Sequence, residues 1–286
     1  MTPVEAACRF RVYPTPEQAN LLNRTFGCVR VVYNRARAMR EAVWTQRKER
    51  VGFLQTNAML TALKKEPEFA WLNAVSSVPL QQALRHLDIA YRNFFQRRAR
   101  YPQFRRKDGP QAAEFTKSGF TYRNGKLTLA KMAEPLDVVW TRALPSEPTT
   151  VRREADGRWY VSLRVVALVE RLTGGGEVGI DLGLKDLAVL STGEKIANPR
   201  HLTKRQHRLA REQGRLARKQ KGSRNRAKAR VRVGRAHAGV RHARQDFLHK
   251  LSTRLIRGNQ AIYVETLSIK GMLRAKRQSR SIADAG

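Results

Sequence analysis

Val178-Gly-Ile-Asp-Leu-Gly-Leu-Lys-Asp-Leu-Ala-Val-Leu-Ser-Thr-Gly193, with its later echo Ala261-Ile-Tyr-Val-Glu265, is the stretch from which the fold is read. Each begins as a short β-branched run of the kind that forms a buried strand, and each run ends in a carboxylate. In the first, Ile180 and Leu182 flank Asp181, so strand alternation sends the acid to the face opposite its apolar neighbours. Gly183 follows, where a bulky side chain would block the approach of a phosphate. Leu187 to Leu190 predicts a second strand, Ser191-Thr-Gly193 a turn, and Lys195-Ile196 a third strand. Neighbouring strand-end carboxylates supply the oxygen ligands that hard divalent cations take, and two such cations can clamp the attacking and leaving oxygens of a phosphodiester. Asp181 and Glu265 are therefore the candidate catalytic acids and the candidate Mg²⁺ ligands.

Strand, tight turn, strand, turn, strand and then helices is the order in which an RNase H-like domain begins, with a later strand parallel to the first. An acid at a strand end also serves as a helix cap, a turn residue or a surface charge. The same Asp-x-Gly follows a first strand in actin-like ATPases and sugar kinases. Composition favours nucleic-acid chemistry. The 286 residues carry 57 Lys plus Arg against 23 acids, a formal charge of +34 that would self-repel without a polyanion. A membrane surface is the other candidate partner, but there is no long uncharged apolar run and no signal-peptide pattern, so no membrane association and a cytoplasmic, nucleoid-associated setting are expected. Cys8 and Cys28 make neither a disulfide framework nor a zinc knuckle and read as reduced thiols.

Residues 7–13 alternate apolar and basic, predicting a strand with one wet, positive face. Thr15 and Pro16 open a helix whose apolar stripe is Leu22, Phe26, Val29, Tyr33, Ala36 and Val43, with Arg24, Arg30, Arg35, Arg37 and Arg40 largely elsewhere on its surface. Further helices are expected from Thr56 to Lys65 and from Pro79 to Arg98. After them, Arg97, Arg98, Arg105, Arg106 and Lys107 surround Tyr101 and Phe104. Aromatics among cations suit phosphate contact plus stacking on unpaired bases, although Tyr101 and Phe104 equally suit packing. From Glu114 to Val166 short alternating strands, separated by Gly, Pro and Asn, predict a small β-barrel that takes in the N-terminal strand. Gly174-Gly-Gly176 reads as a linker.

Residues 200–257 hold twenty Lys and Arg and two acids, Glu212 and Asp246. Leu202, Leu209 and Leu216 repeat every seven residues, as do Val233, Val240 and Phe247, which predicts an antiparallel helical hairpin turning near Gly222 to Asn225. The cations about that turn, Arg215, Arg218, Lys219, Lys221, Arg224 and Arg226, are candidate nucleic-acid contacts, because so dense a run of like charge destabilises a helix that meets no polyanion.

Phe10-Arg-Val-Tyr-Pro14, Gly27 to Asn34, Tyr91-Arg-Asn-Phe-Phe95, Pro102-Gln-Phe-Arg-Arg-Lys107, Gly179 to Asp186, Arg244 to Ser252 and Val264-Glu-Thr-Leu267 with Gly271-Met272 together resemble the TnpB-type (OrfB) RNA-guided nucleases of small bacterial transposons, relatives of type V CRISPR effectors. The resemblance implies a multidomain α+β protein. A wedge-type β-barrel would span residues 1–13 and 101–172, an inserted helical recognition domain 14–100, and an incomplete RuvC (RNase H-like) α/β domain with the basic hairpin 173–286. It further implies a guide RNA from the transposon end, target DNA as the second partner, and Mg²⁺-dependent cleavage by Asp181 and Glu265. Members of the family continue past the Ser281-to-Gly286 motif into a zinc module and a third catalytic Asp. The chain is accordingly expected to be C-terminally truncated, without a zinc site, and weak or inactive in cleavage. The alternatives are a cleavage-deficient, guide-RNA-dependent DNA-binding regulator and a non-catalytic basic RNA-binding protein.

Overall fold

The computed structural model describes residues 2–141, 148–169, 175–274 and 279–285. Gly174 of the expected linker and Gly286 of the C-terminal motif lie outside these. The chain divides into two compact units, one of residues 3–154 with 158–167, the other of residues 168–286 with 1–2 and 155–157.

In the first unit, β1 (Thr2–Val12) leads into α1 (Pro16–Arg47). The entry is fixed by a reciprocal cap: Thr15 Oγ1 accepts from the Gln18 N–H at 3.2 Å, and Gln18 Oε1 accepts from the Thr15 N–H at 3.1 Å. Next come α2 (Phe53–Leu63), a 3-10 segment Pro67–Ala74, and α3 (Ser77–Phe95), capped by Ser76. Arg97, at φ 58°, turns the chain away just after α3, three residues before the end expected from sequence. The strands are β2 (Gln111–Glu114), β3 (Phe120–Arg123), β4 (Lys126–Leu129), β5 (Val138–Val139), β6 (Pro148–Arg153) and β7 (Trp159–Val169). They form a five-stranded sheet in the order β2-β6-β7-β1-β5 and a β3–β4 hairpin. The N-terminal strand thus sits inside the sheet, between β7 and β5.

Helices and sheet share one core. Phe10, Val12, Leu22, Val32, Leu80, Leu84, Leu87, Val151 and Val161 are almost wholly buried in it. Two arginines depart from the expected basic surface of α1: Arg37 is 6% exposed and Arg40 7%. Arg37 Nε donates to the Pro102 carbonyl at 2.8 Å, and Arg40 Nη2 pairs with Asp88 at 2.7 Å, so both bind protein instead of solvent. Cys8 and Cys28 are buried free thiols, and burial pushes Cys28 up to about 11, too weak an acid to react near neutrality.

The second unit contains β8 (Glu177–Leu182), β9 (Asp186–Leu190), β10 (Lys195–Ala197), α4 (His201–Ala217), α5 (Arg224–Gly258), β11 (Ala261–Val264), α6 (Ile269–Met272) and α7 (Ser279–Ala285). Its sheet order is β10-β9-β8-β11, with β8, β9 and β10 antiparallel in turn and β11 parallel to β8. Phe247, Leu251 and Leu255 of α5 pack on the apolar cluster of Val178, Ala188, Leu190 and Ile196. The strands are less covered than their apolar sequences predict. Val178 is 2% exposed, but Leu182 is 45%, Tyr263 60% and Val264 61%, because the chain reaches the sheet's end at Leu182 and its edge at β11.

α4 and α5 form the expected hairpin. Leu209 and Val240 are buried, Leu216 and Val233 half-buried, and Phe247 meets His201, the neighbour of its expected partner Leu202, edge-on at 5.9 Å between ring centroids. α4 lacks a cap of its own, since the residue before it, Arg200, has φ 48° and makes no side-chain cap. Asp284 of α7 takes that role, accepting from the N–H groups of Leu202 at 2.7 Å and Thr203 at 3.1 Å. Among the described residues no helix is long and apolar enough to cross a membrane.

Candidate active site and nucleic-acid interface

Parallel pairing carries Ala261 to Val264 of β11 along Glu177 to Ile180 of β8, so the next residue on each strand is a carboxylate: Glu265 beside Asp181. The structure brings the two together. Both line one open cleft of about 450 Å³, with Gly179, Ser191 and Tyr263 among its walls. Glu265 Oε1 accepts from the Leu182 N–H at 3.2 Å, which orients that carboxylate toward the end of β8. The Asp181 side chain is exposed. Behind them the sheet is held by Ser191, whose Oγ accepts from the Gly179 N–H at 3.0 Å while its own N–H donates to the Gly179 carbonyl at 2.9 Å.

Gly183 has a different reason from the one read in sequence. A Cβ there would stand 2.8 Å from the Asp186 carbonyl oxygen, so glycine is needed for the tight turn between β8 and β9 whether or not a phosphate approaches. That turn is pinned by Asn198, whose Nδ2 donates to the Leu184 carbonyl at 3.1 Å.

Oxygen donors at two adjacent strand ends match a hard divalent cation such as Mg²⁺ in chemistry, with one Glu265 oxygen already fixed by the backbone and the exposed Asp181 carboxylate free to turn. Among the described residues, no group of three or more His, Cys, Asp or Glu could hold a metal. Asp186 and Asp246 do not line this cleft.

The candidate nucleic-acid contacts fall into two places. In the first unit, Arg97, Arg98, Arg106 and Lys107 are exposed. Tyr101 packs edge-on against Tyr91 and Phe94, at 5.6 and 5.2 Å between centroids, and serves as an anchor for the segment. Phe104 is 49% exposed on one side and lies under the Arg37 guanidinium on the other, 3.7 Å from it. Arg105 stacks 4.0 Å over the Tyr33 ring, and burial lowers its pKa, partly offset by Tyr33. Its backbone is held at both ends by Asn34, which donates to the Arg105 carbonyl at 3.0 Å and accepts from its N–H at 2.8 Å. The Tyr33-Asn34 pair is thus the seat for Arg105. Sequence reading missed Arg152, which lines a recess of about 640 Å³ with Arg105, Arg106 and the His86–Glu114 pair. Strand β6 carries it there, a placement only sheet topology reveals.

In the second unit, Arg218, Lys219, Lys221 and Arg224 are exposed about the hairpin turn. Arg226 is committed to the fold: its Nη1 donates to the carbonyls of Leu216 at 3.1 Å and Lys219 at 2.8 Å, closing the C-terminus of α4. Arg215 is held by Glu212 at 2.8 Å. Arg215 and Lys219 share a recess of about 430 Å³ with Asn225, Lys228 and Arg232. Lys228 and Arg232 were not singled out from sequence, yet the antiparallel register places them across from Lys219 and Arg215 and was the signal that could have found them.

A family model described as "Probable transposase", of the OrfB type, matches residues 160–276, and one described as "Helix-turn-helix domain" matches residues 1–49. The latter residues fold here as a strand followed by a single 32-residue helix. A Streptomyces pristinaespiralis protein, named provisionally as an RNA-guided DNA endonuclease, is 50% identical over all of this chain and 72% of its own length. The Escherichia coli (strain K12) protein InsQ, named in the same provisional way, is 29% identical over 93% of this chain and 67% of its own. In fold, the chain resembles a Cas12f1 protein solved by cryo-EM in a complex with sgRNA and target DNA, with a TM-score of 0.52, 9% identity, and coverage of 99% of this chain and 84% of that one.

Proposed function

Since the chain belongs to the OrfB family of TnpB-type, transposon-associated RNA-guided endonucleases, we propose that it binds a guide RNA copied from the transposon end, uses it to select target DNA, and acts on that DNA through Asp181 and Glu265. The observation that carries this reading is the meeting of those two carboxylates at the ends of adjacent parallel strands. The four-stranded sheet with α4 and α5 is then the RuvC (RNase H-like) domain at residues 173–286. The five-stranded sheet is the wedge-type barrel at 1–13 and 101–172, and the helices between them are the recognition insert at 14–100.

Asp181 and Glu265 would hold Mg²⁺. Bound there, the ion would lower the pKa of a ligated water and stabilise charge on a departing phosphodiester oxygen. The chain's own contribution is orientation: Leu182 N–H fixes Glu265, and the Gly183 turn keeps the end of β8 clear of side chain. The exposed cations about the hairpin turn and at Arg97, Arg98, Arg106 and Lys107 supply sequence-independent phosphate contacts, while base pairing supplies the sequence.

The site is tested by plasmid linearisation with the RNA encoded beside the gene and a matching target. Any guided, Mg²⁺-dependent cutting should be lost in both Asp181→Ala and Glu265→Gln, and cutting that survives either substitution would refute the assignment. The two-carboxylate set among the described residues favours one second reading, a guide-dependent DNA-binding regulator. Guided target binding with no cutting in the unaltered protein would select it.

A further inference from the structure

The first unit contains a cavity of about 580 Å³ between α1, the connection to α2, and the end of α3. Its size lies within the ~300–1,000 Å³ of small-ligand sites. Its walls combine three kinds of group. Trp44, Tyr91 and Phe95 contribute aromatic surface, with Trp44 50% and Phe95 66% exposed. Cations stand over these rings: Arg40 is 5.0 Å from the Tyr91 centroid, Arg50 5.7 Å from Phe95, and Lys48 5.9 Å from Trp44. Glu49, also in the wall, adds a carboxylate.

Arg40 marks this as a built site. Its side chain is 7% exposed, and Nη2 is used by Asp88 at 2.7 Å, yet its buried Nε–H has no hydrogen-bond partner. A buried, unsatisfied donor on a charged group is costly. Exposed tryptophan and phenylalanine carry the same cost in apolar surface, relieved by a flat partner.

We propose that this cavity takes one unpaired ribonucleotide of bound RNA, with its base against Trp44 and Phe95 and its ribose 2′-hydroxyl on Glu49. Every base has a stackable face, so the aromatic walls suit a base without demanding its identity. The surrounding cations suit its flanking phosphates. Glu49 decides between RNA and DNA: a carboxylate repels phosphate but accepts from a 2′-hydroxyl, which deoxyribose lacks. The inference deepens the reading of the chain as a guide-RNA binder and rests on it.

The test uses the full chain and a 12-nucleotide single-stranded RNA carrying one central 2-aminopurine, beside the DNA strand of the same sequence. Stacking quenches 2-aminopurine, so quenching on RNA and weaker quenching on DNA are expected. Trp44→Ala should abolish the quenching and weaken RNA binding about tenfold, with an unchanged salt slope because stacking releases no counterions. Trp44 is half exposed, so an unchanged thermal midpoint is the check on folding. Glu49→Gln should narrow the preference for RNA. Salt-dependent RNA binding that is indifferent to Trp44 would overturn the cavity while leaving the guide-RNA reading intact. Equal quenching of both strands would overturn the ribose assignment, and failure to bind RNA at all would overturn both readings.

Discussion

Asp284 shows how much a single carboxylate can do away from the cleft of Asp181 and Glu265. It is 6% exposed, accepts from two N–H groups of the first turn of α4 and from the Thr203 hydroxyl, and lies 3.8 Å from Arg244. Burial would raise its pKa, but the hydrogen bonds from Leu202 and Thr203, with Arg244, outweigh burial and hold it below the ordinary 3.8. A folded value below the unfolded one means that the stabilisation is complete above about pH 4 and disappears as pH falls through the folded value. His201 nearby is held low, first by burial and then by Arg205, so it is neutral near pH 7, and its own penalty begins only below its ordinary 6.5. Asp284→Asn should therefore cost about 1 kcal/mol or more near neutrality. The difference from the unaltered protein should shrink below pH 4, while the decline due to His201 remains in both. Urea melts at pH 7, 5 and 3 check this; a difference independent of pH would rule out the charged cap.

At the scale of elements, the hairpin of α4 and α5 is a seam of few apolar residues inside a field of like charge. Leu209 is 9% exposed and Val240 6%, and the helices also depend on Arg226 closing the end of α4. Leu209→Asp places an unpaired charge in that seam and should unzip it, with loss of helical ellipticity and faster amide exchange across both helices. Leu202→Asp, at a half-buried position, should do less. The seam was legible because heptad spacing is a local property of the sequence. The strand ends of Asp181 and Glu265 were legible for the same reason, as was the cap at Thr15. The burial of Arg37 and Arg40 was not. A helical arginine looks solvated until the partners that bury it are known, and Pro102 and Asp88 are 65 and 48 residues away in sequence. Asp284 was hidden likewise, since its partners precede it by 81 and 82 residues. Gly183 was recognised as necessary, but the carbonyl that makes it so belongs to the turn itself.

At the scale of the whole molecule, a formal charge of +34 and an open sheet edge oppose one another. Among the described residues β11 is the edge strand, and Tyr263 and Val264 on it are 60% and 61% exposed. Such an edge is a template for pairing with another copy. Mutual repulsion keeps copies apart at low ionic strength, and a bound polyanion would add its own hydration and bulk. Salt removes the first protection and strips the second, since the screening length falls from about 10 Å at 0.1 M to about 3 Å at 1 M. Purified free of nucleic acid, the protein should scatter light increasingly as salt rises toward 1 M, the reverse of ordinary salting-in. Val264→Lys should suppress that scattering, and an unaltered rise in the variant would point to another contact. The strand that brings Glu265 to Asp181 thus also sets the colloidal behaviour of the chain: a bound nucleic acid would act as a solubilising counter-body, and the protein would keep best in the company of a polyanion.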